Sequence, residues 1–107
     1  LLVVHDDLDL PFGTLRLRPQ GGAGGQRGMG SIMAKLGTQE FARLRVGIGR
    51  PPGRMAPRDY VLHDFDPEEV EILPEVLQTA VDAIRRFVMA GIKQAMNDFN
   101  GQVVEGE

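Results

Sequence analysis

Six of the ten residues from 21 to 30 (GGAGGQRGMG) are glycine, and this run constrains the fold more than any other feature of the chain. Glycine loses more backbone freedom on ordering than any other residue, so such a run is unfit for the interior of a helix or strand. It must be a loop. Before it, Thr14-Leu15-Arg16-Leu17-Arg18 alternates as a half-buried strand does; after it, Met29, Ile32, Met33 and Leu36 recur at helical spacing, and Gly37 ends the pattern. A glycine loop that opens a helix lets backbone amides approach a ligand closely, often an anion. The strand–GxxxxGK[ST]–helix pattern is absent, so the loop alone does not specify a nucleotide.

The rest of the chain supplies partners for that unit. Residues 1–4 form a continuous apolar run, which predicts a strand over 1–5 buried on both faces. His5, Asp6 and Asp7 lie at its end, and Pro11 and Gly13 punctuate a turn. A second alternation, Phe41, Leu44, Val46 and Ile48 with Arg43 and Arg45 between, predicts a strand over 43–49. Residues 50–59 carry three prolines and read as an irregular loop, with a short extended piece at 60–62. Asp66-Pro67-Glu68-Glu69 reads as a helix start, with an N-cap acid, Pro at N1 and acids in the first turn. Val70, Leu73, Leu77, Ala80, Val81, Ile84 and Val88 form the apolar stripe expected to be buried, with a kink at Pro74 and a break at Gly91. A last helix is expected over 92–99, and 101–107 reads as a polar tail. Strands alternating with helices predict an α/β domain over 1–100.

Charge is unevenly placed. Residues 1–60 hold nine Lys/Arg against five Asp/Glu, and residues 61–107 hold three against ten. The basic half either meets a polyanion or is a clustered solvated surface. The chain has no cysteine, which removes disulfides and thiolate metal sites, and no carboxylate–histidine cluster predicts a metal. No apolar run approaches the ~20 residues that span a bilayer. The chain opens in strand-like sequence without a methionine, so it is expected to be part of a longer domain and to fold poorly alone.

Several side chains are candidates for chemistry. Asp6 either orients a histidine or positions a water, or else caps a loop or pairs with an arginine. Arg18 and Arg45 lie on alternating strands and either grip one phosphate together or are solvated. His5 reads as a hydrogen-bonded structural residue rather than a general base, Asp9 as an Asx-turn former, and His63 has no assigned role.

In order, VVHDDLDLPFG, LRLRPQGG, GMGSI, LGTQEFARLRVGIGRPPG and AMNDFN resemble the C-terminal part of the bacterial-type peptidyl-tRNA hydrolase family over about residues 1–100. The RPPGRM loop is similar to the plastid and cyanobacterial branch. The resemblance implies a mixed α/β sheet flanked by helices, a monomer without cofactor, and hydrolysis of the ester joining peptide to tRNA. It implies a location in the bacterial cytoplasm or in a plastid or mitochondrion. By it, Asp6 orients a catalytic histidine that lies in the family's N-terminal half, outside this chain. Arg18 and Arg45 clamp a tRNA phosphate. Gly25, Gln26 and Arg27 fall in the substrate loop, where the family reads Gly-Gly-His-Gly-Gly-His-Asn-Gly followed by a basic residue. The glycines Gly21, Gly22, Gly24, Gly25 and Gly28 persist, while Ala23, Gln26, Arg27 and Gly30 depart from the pattern. Arginine only donates hydrogen bonds, whereas asparagine also accepts. The expectation is an intact frame with an altered working face, with little activity from this chain alone. The rival reading is a non-catalytic RNA-binding relative, such as an organelle intron-splicing factor, and a degraded gene product is the third.

Overall fold

The computed structural model describes residues 1–23, 27–50 and 64–101. Among these residues, three strands and three helices follow one another: β1 (Leu2–Asp7), β2 (Leu15–Arg18), α1 (Arg27–Leu36), β3 (Ala42–Gly47), α2 (Pro67–Ala90) and α3 (Ile92–Phe99). The late-coming β3 sits in the middle of the sheet, in the order β1-β3-β2. It runs parallel to β1 and antiparallel to β2, so the sheet is mixed, as expected. Parallel neighbours need a long crossover, and β2, the glycine loop and α1 make up that connection.

Register sorts the side chains. Val4, Leu44 and Leu17 align across the sheet, as do Asp6, Val46 and Leu15. Aligned residues share a face, so one face is mainly apolar. There Leu15, Leu17 and Leu44 are fully buried and join Ala80 and Ala83 of α2 and Ala95 of α3. Each buried leucine contributes about 1.5–3 kcal/mol relative to exposure. The other face carries Arg43 opposite Arg18 and Arg45 opposite Arg16 and His5.

Two expectations need correction. The first strand is not buried on both faces: Leu1 is 73% and Val4 47% exposed. Among the described strands β1 pairs only with β3, and the core centres on β2 and β3 instead. The α2 stripe is also displaced. Val70, Leu77, Val81 and Val88 are exposed, while Val76, Ala80 and Ala83 are buried. Alanines let the helix backbone come close, and the bulkier row is left outside. The helix itself is continuous through Pro74.

The ends of elements follow their local chemistry. Glu69 Oε1 accepts the Asp66 N–H at 3.0 Å, one half of a capping box. Gly37 has φ +69° and bonds back to Met33 O at 2.8 Å, a left-handed helix stop. Gly91 ends α2 in a different conformation, with φ +89° and ψ 172°, its N–H bonded to Phe87 O. At the outer edge of β2, the Asn100 side chain takes the place of a neighbouring strand. Its Oδ1 accepts from Leu17 N–H at 2.5 Å and its Nδ2 donates to Leu17 O at 3.0 Å. The 8–13 turn packs tightly on β3, where a Cβ on Gly47 would lie 2.1 Å from Pro11 O. The loop expected over 50–59 lies outside the described residues except for Arg50, as do the piece at 60–62 and all but the first residue of the tail.

Candidate functional site

The arginine face, the end of β1 and the first residues of the glycine loop enclose an open cleft of about 340 Å³. Arg18, Arg43 and Arg45 line it from β2 and β3, His5, Asp7 and Asp9 from β1 and the turn, and Gln20 to Ala23 from the loop. The pleat accounts for the clustering. Residues two apart on a strand share a face, and the antiparallel β2–β3 register sets Arg18 against Arg43. The two arginines singled out from the sequence, Arg18 and Arg45, therefore do share one face.

Arg45 is not solvated alone. Its Nε donates to Asp7 Oδ2 at 2.6 Å, with the two side chains 25% and 12% exposed. The other oxygen, Asp7 Oδ1, accepts the Asp9 N–H at 2.7 Å. Asp7 thus forms the Asx turn that was expected of Asp9, because it stands two residues before the N–H that needs an acceptor. Asp9 instead pairs with Arg50. Arg18 is exposed at the end of β2.

Arg43 went unassigned in the sequence because it reads as one more solvated arginine of an alternating strand. It is 3% exposed. Its guanidinium donates to Gly22 O at 3.0 Å, Gln39 O at 2.9 Å and Phe41 O at 3.3 Å, over the Phe41 ring. Burial pulls its pKa below the usual arginine value, with repulsion from Arg45 adding to the effect.

Asp6 is exposed and turns to the opposite face, aligned with Val46 rather than with the arginines. Its carboxylate makes no ion pair with Arg18 or Arg45 and no hydrogen bond among the described residues. His5 behaves as the structural reading expected: its Nδ1 lies 2.8 Å from Asp6 O. A carbonyl only accepts, so Nδ1 carries the proton. Arg27 is exposed at the first position of α1, whose first turn contains no acid. That end of a helix favours an anion. Gly25 and Gln26 lie outside the described residues. Among the described residues no group of three His, Cys, Asp or Glu side chains could hold a metal.

The described residues form a mixed α/β layer with an arginine-lined cleft beside Gln20 to Ala23, a cationic surface whose chemistry suits an anion. The comparisons narrow that description. The family model described as peptidyl-tRNA hydrolase matches residues 1–106. A peptidyl-tRNA hydrolase of Chloroflexus aggregans is 57% identical over 100 residues, covering 94% of this chain and 53% of the relative. One of Herpetosiphon aurantiacus is 54% identical over 102 residues, covering 95% and 50%. The crystal structure of peptidyl-tRNA hydrolase from Acinetobacter baumannii superimposes with a TM-score of 0.83 at 31% identity, over 95% of this chain and 52% of that one. The chain belongs to the peptidyl-tRNA hydrolase family, and it spans about half the length of the relatives it matches.

Proposed function

We propose that this chain is the tRNA-holding and histidine-orienting part of a peptidyl-tRNA hydrolase. The observation that carries the reading is that Arg18 and Arg45 share one sheet face and line one cleft beside the start of the glycine-rich segment. Arg45 spends its Nε on Asp7, which leaves both terminal nitrogens of the guanidinium for a phosphate. Arg18, exposed across the cleft, supplies a second fork. On the other face, the Asp6 carboxylate is open to a histidine contributed from outside this chain. A carboxylate so placed fixes one ring tautomer and stabilises the imidazolium that forms when the histidine takes a proton from water. The water oxygen bonds to the ester carbonyl carbon. The bond to the tRNA ribose oxygen breaks, and that oxygen leaves with a proton.

The loop changes bear on rate. Arg27 can donate to a phosphate or a carbonyl oxygen but cannot accept a proton from water. Losing one well-placed polar group costs about 10²–10³ in rate. The relatives above are named as hydrolases, which favours hydrolysis over RNA binding alone. The action is that of a monomer on tRNA, in a bacterial cytoplasm or an organelle. No described helix is long and apolar enough to cross a membrane.

Binding of a tRNA acceptor-stem hairpin at several salt concentrations tests the clamp. Each phosphate contact releases counterions, so Arg18→Ala and Arg45→Ala should each lower the slope of log K against log salt by about 1. Unchanged slopes in both variants would refute the assignment.

A further inference from the structure

Arg43 is the one charged side chain that the fold buries among the described residues, and no described carboxylate meets it. A buried ion without a counter-charge is costly unless its hydrogen bonds are made. Here the bonds of the two terminal nitrogens go to backbone of two separate segments, while Nε has no partner among the described residues. Nη1 reaches Gly22 O in the glycine loop, while Nη2 reaches Gln39 O and Phe41 O in the connection from α1 to β3. The Phe41 ring lies under the guanidinium, 4.7 Å from its carbon. The loop also begins against this group: a Cβ on Gly21, where φ is +154°, would lie 3.9 Å from Nη1. The same side chain lines the cleft between Arg18 and Arg45. Loop, α1–β3 connection and arginine face thus meet at one planar fork.

We propose that Arg43 is a positioning residue for the cleft, tying the glycine loop to the β3 side so that loop backbone, Arg18 and Arg45 face one phosphate-bearing ligand together. The proposal rests on the tRNA-phosphate reading above. It does not require Arg43 to touch the ligand. Its planar fork carries donors on separate nitrogens, and lysine gathers its donors on one atom. Lysine therefore keeps the charge but cannot bridge Gly22 O on one side and Gln39 O and Phe41 O on the other.

The test is the salt dependence of acceptor-stem hairpin binding by the chain carrying Arg43→Lys, with folding followed by circular dichroism. Net charge is unchanged, yet the slope should fall by about 1, as it does for Arg18→Ala. Adding Arg18→Ala to Arg43→Lys should then change the slope less than Arg18→Ala does alone. A folded Arg43→Lys protein with the original slope, whether or not its affinity drops, would overturn the proposal and leave Arg43 a purely structural residue. Phe41→Leu covers the case in which Arg43→Lys does not fold. It removes the ring under the guanidinium but keeps all three carbonyls, and it should lower the slope by a smaller amount; an unchanged slope there would also overturn the proposal. Failure of the tRNA-phosphate reading shows differently, as slopes that neither Arg18→Ala nor Arg45→Ala alters in the unmodified background, and it removes this proposal with it.

Discussion

Removing the Asp7–Arg45 contact tests whether the cleft is organised from within. The pair joins β1 to β3 through a 2.6 Å bond, with side chains 25% and 12% exposed. Two unit charges about 4 Å apart attract by ~4 kcal/mol at an effective dielectric of 20. Desolvation opposes this, and the exposed quarter of Arg45 admits screening, so the net coupling must lie well below that figure. Exposed pairs contribute about 0–1 kcal/mol, while breaking a fully buried pair costs about 3–5 kcal/mol. A coupling of about 1–2 kcal/mol is expected here. A double-mutant cycle of Asp7→Ala, Arg45→Ala and both together, measured by urea denaturation, isolates it from the Asp9 N–H bond that Asp7→Ala also removes. Because the pair is partly buried, raising NaCl to about 1 M should leave more than half of the coupling intact. A coupling below about 0.3 kcal/mol, or one abolished by salt, would mean that Asp7 does not hold Arg45.

Two substitutions probe the frame around the cleft. Gly47→Ala would drive a methyl group into Pro11 O and Leu10, backbone that cannot swing aside, so a loss of about 1–3 kcal/mol or more is expected by denaturation; a neutral result would show that the 8–13 turn is not packed as described. Asn100→Ala removes both bonds to the Leu17 backbone and leaves a part-buried edge of β2 unpaired, which should cost about 1–3 kcal/mol and speed amide exchange at Leu17.

Local patterns were readable along the chain, and non-local ones were not. The alternation around Arg16 and Arg18 and around Arg43 and Arg45 led to β2 and β3 within a residue or two of their observed bounds. Gly37, Asp66 and Gly91 marked helix ends where the backbone places them. The stripe on α2 was right at Ala80 and wrong at Val70, Leu77, Val81 and Val88, because apolarity alone ranks those four above Ala83. Closeness of approach, set by a partner helix and a sheet, selects the alanines. The same limit hid Asp7 and Arg43. Asp7 meets Arg45 only once β1 and β3 pair in register, and Arg43 becomes a buried tie only once Gly22 comes to lie against β3. Asp6 shows the reverse: its place at the strand end was legible, but the pleat that turns it away from the arginines follows from the pairing.

The most direct measurement is hydrolysis of a peptidyl-tRNA by this chain joined to the N-terminal segment of the Chloroflexus aggregans relative. It should be run beside the same protein carrying Gln26→His and Arg27→Asn. The account predicts ester cleavage that the two replacements raise by up to about 10²–10³, and that is lost with Asp6→Ala. Cleavage unaffected by Asp6→Ala, or absent from both proteins when both are folded and bind tRNA, would contradict it.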